Sequence, residues 1–175
     1  YRAARSHGLN PIIGCEVYVA SRTRFDKVNG LDNERFHLTL LCENNTGYQN
    51  LIKLVSEGWT SGFYTKPRVD RDLIEKYHEG IIALSGCLAG EVARALSRND
   101  YDEAKNVAKW YSDTFGKGNY FIEIMDHGIA EEKQVIPDLI ALSRETGIPL
   151  VATNDCHYLH KKDAAAQEVL MCVQT

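Results

Sequence analysis

Short apolar runs alternate along this chain with helical stretches of roughly ten residues or more, and that alternation limits the fold more than any other feature. Residues 11–20 (Pro-Ile-Ile-Gly-Cys-Glu-Val-Tyr-Val-Ala) and 36–42 (Phe-His-Leu-Thr-Leu-Leu-Cys) are β-branched, aromatic or aliphatic and read as strands. From Asn45 the apolar residues Tyr48, Leu51, Ile52 and Val55 follow helical spacing, and 69–77 offers a shorter helix after the Lys66-Pro67 break. A buried-looking strand follows at 80–85, then a helix around 91–96 and another over 101–115, with Asp100 as its candidate cap. Residues 120–125 read as a strand, 131–146 as a helix broken by Gly147-Ile-Pro, and 150–153 as the last clear strand. A final helical run starts at Asp163. This is the pattern of parallel βα units, an α/β fold either closed as a barrel or open as a sheet. Residues 21–34 form a polar, charged loop inside what reads as one domain.

Composition narrows the function classes. At 175 residues the chain can bury roughly two-thirds of its unfolded surface, and 44% hydrophobic with 25% charged residues suits a soluble domain. Twenty basic against 24 acidic residues give a net charge of −4, which argues against holding duplex nucleic acid by a broad basic face. Any nucleic-acid contact must be local or borrowed. No apolar run approaches the roughly 20 residues of a membrane span, and the opening Tyr-Arg-Ala-Ala-Arg-Ser-His-Gly lacks the apolar stretch of a signal peptide. The expected location is therefore cytoplasmic, away from membranes. Five cysteines, an odd number without a Cys-x-x-Cys pair, point to reduced thiols rather than a disulfide framework or a zinc ribbon. Tyr1 to His7 reads as the last turns of a helix closed by Gly8, and the run from Asp163 meets no cap or breaker. A partial domain over 1–175 is expected, with strands upstream and chain continuing downstream. Its unclosed barrel should expose sheet edges and associate, which light scattering tests.

In parallel α/β folds, chemistry collects in the loops that leave the carboxyl ends of the strands. Three successive strand ends here carry ligand-type side chains: Cys87, then Asp126 and His127, then Asp155 and His157. In an extended segment, residues i and i+2 point the same way, so Asp155-Cys156-His157 would aim a carboxylate and an imidazole at one point, as a zinc or manganese site requires. A capping aspartate beside a packed histidine has the same spelling. Cys87, where a strand turns into a helix, suits a ligand, a nucleophile or a small core thiol. Glu16 interrupts an apolar strand and faces either solvent or something charged. His37 opens a strand, and by spacing alone reads as a satisfied core or surface histidine; His7, His78 and His160 lie on polar segments and read as solvated. Gly62-Phe-Tyr-Thr-Lys-Pro-Arg68 mixes aromatic and basic side chains, so Tyr64, Lys66 and Arg68 fit either a nucleic-acid contact or a surface loop packed on its own aromatics. Gly-x-Gly-x-x-Gly, Walker, His-Glu-x-x-His and Gly-x-Ser-x-Gly motifs are absent from the sequence.

Pro11-Ile-Ile-Gly-Cys-Glu-Val-Tyr-Val, Phe36-His-Leu-Thr-Leu-Leu, Gly47-Tyr-Gln-Asn-Leu, Gly62-Phe-Tyr-Thr-Lys-Pro-Arg, Ile82-Ala-Leu-Ser-Gly-Cys-Leu-Ala-Gly-Glu and Val151-Ala-Thr-Asn-Asp-Cys-His-Tyr together resemble a known family. They are similar to the polymerase and histidinol phosphatase (PHP) domain of bacterial replicative DNA polymerase III alpha subunits, over nearly all of the chain. The resemblance implies part of a distorted (β/α)7 barrel that lacks its first βα units, within a larger DNA-directed DNA polymerase, a nucleotidyltransferase of DNA replication whose polymerase site lies outside these residues. Metal-binding members hold a trinuclear zinc or manganese site. Matched by motif, Glu16, His37, Cys87, Asp155 and His157 are implied as metal ligands, which replaces the spacing-only reading of His37, while Asp126 and His127 are implied at most as rim. The family's His-x-His motif and the Asp and His ligands after it have no match here and would precede Tyr1, so up to three ions are implied for a complete domain and partial or no occupancy for this segment. The implied activity is metal-dependent 3′-to-5′ exonuclease or phosphoesterase action, with no catalytic residue assigned. The alternative is a non-catalytic module that braces the polymerase. Implied partners are the rest of the alpha chain, single-stranded DNA and a proofreading exonuclease subunit.

Overall fold

The computed structural model describes residues 1–174. After a short helix α1 (Arg2–Ser6), the chain runs β1 (Gly14–Ala20), β2 (Arg35–Cys42), α2 (Asn45–Thr60), β3 (Arg68–Val69), α3 (Arg71–Tyr77), β4 (Ile81–Leu84), α4 (Glu91–Ser97), α5 (Tyr101–Phe115), β5 (Tyr120–Ile124), α6 (Ala130–Thr146) and β6 (Leu150–Ala152). A 3-10 turn (Lys161–Asp163) leads into α7 (Ala164–Gln174). The strands form one open mixed sheet in the order β3-β1-β2-β4-β5-β6, the architecture of a partial (β/α) barrel.

The all-parallel pattern needs a correction. β4, β5 and β6 pair in parallel, as does β3 on β1, but β2 runs antiparallel to both β1 and β4. The reason lies in the connection: a parallel return needs a crossover of about a dozen residues, usually helical, and residues 21–34 supply no helix, so β2 turns back beside β1. Val69 belongs to β3 rather than to the following helix, because Asp70 breaks the chain there as an N-cap, its carboxylate accepting from Leu73 N–H at 3.2 Å. Asp100 caps α5 in the same way, accepting from Glu103 N–H at 3.1 Å.

Alternation along β1 and β2 buries Val17, Val19, Phe36, Leu38 and Leu40 against Leu51 and Leu54 of α2 and Ile74 of α3. A second part of the same core joins Ala104, Val107, Ala108 and Tyr111 of α5 to Tyr120 and Ile122 of β5. The edge strands are β3 and β6, and no described residue of α7 is buried: Val169, Leu170 and Val173 face outward. All five cysteines are free thiols, and among the described residues no helix is long and apolar enough to cross a membrane.

The 21–34 loop is held by charge. Arg22 clasps Asp32 through Nε and Nη2 at 2.8 and 2.7 Å, and Val28 N–H donates to the same carboxylate at 2.8 Å. The Arg22 guanidinium, followed by the Val28 N–H, holds the Asp32 carboxyl down to about 2. Its folded value lies below the unfolded one, so this stabilisation is complete above about pH 4 and disappears as pH falls toward 2. Urea midpoints measured between pH 5 and pH 2 should therefore fall more steeply for the native sequence than for Asp32→Asn; equal slopes would contradict the assignment.

Candidate metal centre

Antiparallel register sets Tyr18 opposite His37 and Glu16 opposite Thr39. Opposed residues share a face of the sheet, as do residues two apart along a strand, so Glu16 is the diagonal neighbour of His37. Their side chains meet, with His37 Nδ1 2.9 Å from Glu16 Oε1 and the imidazole tilted against the Tyr18 ring at a centroid distance of 5.0 Å. A third group arrives from the turn after β4. There His37 N–H donates to Ala89 O at 3.0 Å and Gly90 N–H to Cys87 O at 2.8 Å, seating the turn on the backbone of β2. The approach leaves no room for side chains: a Cβ on Gly86 would lie 2.5 Å from His37 O, and one on Gly90 2.1 Å from Ser85 O. The turn thereby brings the half-buried Cys87 thiol to 3.6 Å from His37 Nδ1.

This trio is electrostatically coupled. Cys87 first and Glu16 second push the His37 imidazole from its usual 6.5 up to about 9, while the hydrogen bond from His37 holds the Glu16 carboxyl below its ordinary value. His157 adds to the lowering of Glu16, which places its imidazole within electrostatic reach across the strand ends.

Asp155 and His157 follow β6, but not in the extended geometry that would aim both side chains at one point. Asp155 takes a φ of +42°, so the chain turns there, and His157 Nδ1 bonds Asp155 O at 2.8 Å, with the Asp155 carboxylate farther off at 3.8 Å. Glu123 is the residue that sequence reasoning passed over. Only 5% exposed, it accepts from Gly86 N–H at 2.9 Å and from the Thr153 hydroxyl at 2.6 Å, tying the Cys87 turn to the segment that carries Asp155. Burial pushes its carboxyl up, with Asp155 and Glu16 adding to the shift. The signal was available: a lone carboxylate within the apolar Tyr120-Phe-Ile-Glu-Ile run, the same feature that singled out Glu16.

At the rim, Asp126 is exposed and accepts from Gly128 N–H at 3.0 Å, while His127 engages Glu132 and the Asn154 carbonyl. A cavity of about 320 Å³ lies alongside, with Cys87, Asp155 and His127 in its wall. His7 and His160 are exposed, as the sequence predicts, while His78 is half-buried, its Nδ1 2.7 Å from Glu75 O.

The basic and aromatic segment needs a second correction. Arg68 is 1% exposed, and its guanidinium donates to the carbonyls of Gly62, Arg24, Asp26 and Asp32 at 2.8–3.3 Å. A guanidinium so desolvated and so fully bonded is withdrawn from any phosphate. Tyr64 lies half-buried beneath it, 5.2 Å from ring centroid to guanidinium carbon, and Lys66 alone of the three stands exposed.

Carboxylate, imidazole and thiol donors suit zinc or manganese by type. By placement they do not enclose an ion: among the described residues no group of three or more His, Cys, Asp or Glu side chains is set to hold one. His37 Nδ1 already has Glu16 and Cys87 as neighbours, and His157 Nδ1 is turned to the Asp155 carbonyl.

Comparison with known proteins places these residues in context. The family profile described as PHP domain matches residues 1–127. DNA polymerase III subunit alpha of Treponema pallidum is 46% identical over 99% of this chain, that of Deinococcus radiodurans 48% over all of it, and that of Thermus aquaticus 45% over all of it. The chain corresponds to 15%, 13% and 14% of their respective lengths.

Proposed function

The chain belongs to the PHP domain family, and on that premise we propose that it is part of the PHP domain of a bacterial replicative DNA polymerase and carries one wall of a metal-dependent phosphoesterase site. The site acts as a 3′-to-5′ exonuclease on single-stranded DNA during replication. What supports this reading above all is the meeting of Glu16, His37 and Cys87, brought from β1, β2 and the turn after β4 to the sheet end where Asp155 and His157 also stand.

In this reading Glu16 and Asp155 supply negative charge, His37 and His157 supply imidazoles, and Cys87 supplies a thiolate. Zinc or manganese bound by them would provide a water of lowered pKa and a positive charge against the attacked phosphate. The chain's own task is to hold the donors in register. Glu16 orients the His37 ring through Nδ1, and Glu123 locks the Cys87 turn to the Asp155 segment. Lys66 is the exposed cation near the aromatic ring of Tyr64 that a single strand would meet. The rest of the polymerase chain and a separate proofreading subunit are the partners this reading implies.

One observation favours a second reading, a non-catalytic module that braces the polymerase or docks the proofreading subunit: no three donors are set around an ion among the described residues. Hydrolysis of 3′-labelled single-stranded DNA by the full-length polymerase in manganese or zinc separates the two. The phosphoesterase reading expects release of labelled nucleotide, reduced about a hundredfold or more in Asp155→Asn and His37→Ala. Absence of hydrolysis in the native protein, or hydrolysis untouched by both substitutions, would favour the docking module.

A further inference from the structure

We propose that His127 is a positioning residue for the segment bearing Asp155 and His157, acting through the carbonyl of Asn154. This rests on the reading above that Asp155 and His157 belong to the metal site.

The geometry begins at the turn after β5. Asp126 accepts from Gly128 N–H at 3.0 Å, and the turn so formed directs both the backbone and the ring of His127 toward Glu132 on the first turn of α6. Both Glu132 oxygens are used by this one residue. Oε2 accepts from His127 N–H and Oε1 faces Nδ1, each at 2.7 Å. Glu132 is only 6% exposed, so the carboxylate is a fixed anchor rather than a swinging surface group. With Nδ1 held there, the ring has one orientation left, and it sets Nε2 2.9 Å from Asn154 O. Both ring nitrogens thus face acceptors, an arrangement that favours the imidazolium beside the buried Glu132 carboxylate.

The far end of this relay is where a positioning contact has most effect. Thr153 is pinned by Glu123, and the next residue but one, Asp155, sits at a φ of +42° that non-glycine residues seldom adopt without support. Between them, His127 supplies the hydrogen bond that reaches residues 154–157 from elsewhere in the chain, and among the described residues there is no other. The His157 ring bonds only within the segment, to Asp155 O at 2.8 Å, with the Asp155 carboxylate 3.8 Å away. A carbonyl fixed immediately before Asp155 therefore decides where that carboxylate starts from, and His127 shares the wall of the 320 Å³ cavity with it. This is how outer contacts orient a ligand without touching the ion.

The test uses the full-length polymerase with two readouts. In metal-free protein, hydrogen exchange of the Thr153 amide, whose N–H donates to Ile124 O at 3.1 Å immediately before this segment, should accelerate about tenfold in His127→Ala and in Glu132→Leu, while exchange over 37–42 stays as in the native chain. Unchanged exchange of the Thr153 amide in both variants would overturn the proposal whatever the metal does. In a zinc competition titration, His127→Ala should weaken binding about tenfold. That loss should vanish when Asp155→Asn is already present, because the two act through one group. Losses that simply add would show that His127 does not act through Asp155 and would also overturn it. Accelerated exchange in a polymerase that binds no zinc even in its native form would sustain the positioning contact and reject the metal reading, so the two failures are separable.

Discussion

Replacing Arg68 by methionine is expected to destabilise the chain by about 3–5 kcal/mol, enough to abolish most of the stability of an ordinary domain. Methionine matches the hydrophobic stem and returns none of the hydrogen bonds. The carbonyls of Gly62, Arg24, Asp26 and Asp32 would lose a partner together, in a place the side chain itself keeps dry. A buried acceptor left unpaired costs about 1–3 kcal/mol, and partial entry of water brings the sum below a simple total. Three of those carbonyls belong to residues 21–34, so the loop should become the first site of proteolysis. Arg68→Lys should recover only part of the loss, because an ammonium has three donors and no planar fork. Urea denaturation of the two variants checks the ranking. A methionine variant within about 0.5 kcal/mol of the native chain would show that the guanidinium is not the clasp described here.

Gly90→Ala should have the second large effect, about 2–3 kcal/mol, and for a different reason. The backbone at Gly90 is ordinary, with φ −68° and ψ 152°, so alanine meets no conformational penalty. The penalty is contact, since the added methyl would lie 2.1 Å from Ser85 O and 3.1 Å from Cys87 O. Relief requires the turn after β4 to lift away from β2, and Cys87 leaves His37 with it. The imidazole then loses its foremost proton-holding neighbour, so its titration should move down from about 9 toward the ordinary value. Following the His37 ring by NMR across pH 6–10 reads this directly. A titration midpoint unchanged from the native chain would contradict the seating of the turn.

Most elements could be read from the sequence because they are local. The helix over 101–115 and its Asp100 cap follow from spacing and one side chain. Strand direction was less legible, since it depends on which connection carries a helix, and the polar 21–34 stretch had to be recognised as carrying none. The candidate site divides in the same way. Its family resemblance singled out Glu16, His37, Cys87, Asp155 and His157. Why the first three meet is a matter of β1–β2 register and of a glycine-bounded turn, neither of which spacing encodes. Arg68 shows the opposite failure. An arginine among aromatics looks the same whether it awaits a phosphate or fills a shell of carbonyls, and only burial separates the two. Asp155 and His157 were expected to converge through an extended strand, and the positive φ at Asp155 replaces that geometry with a turn.

Elemental analysis of the full-length polymerase, native and carrying Asp155→Asn with His157→Ala, tests the central claim most directly. A metal-bearing PHP wall predicts more than one zinc or manganese ion per native chain after exhaustive dialysis, and fewer in the variant with its fold intact by circular dichroism. No metal in either protein would contradict it, leaving Glu16, His37 and Cys87 as a hydrogen-bonded packing cluster in a domain that serves as a brace.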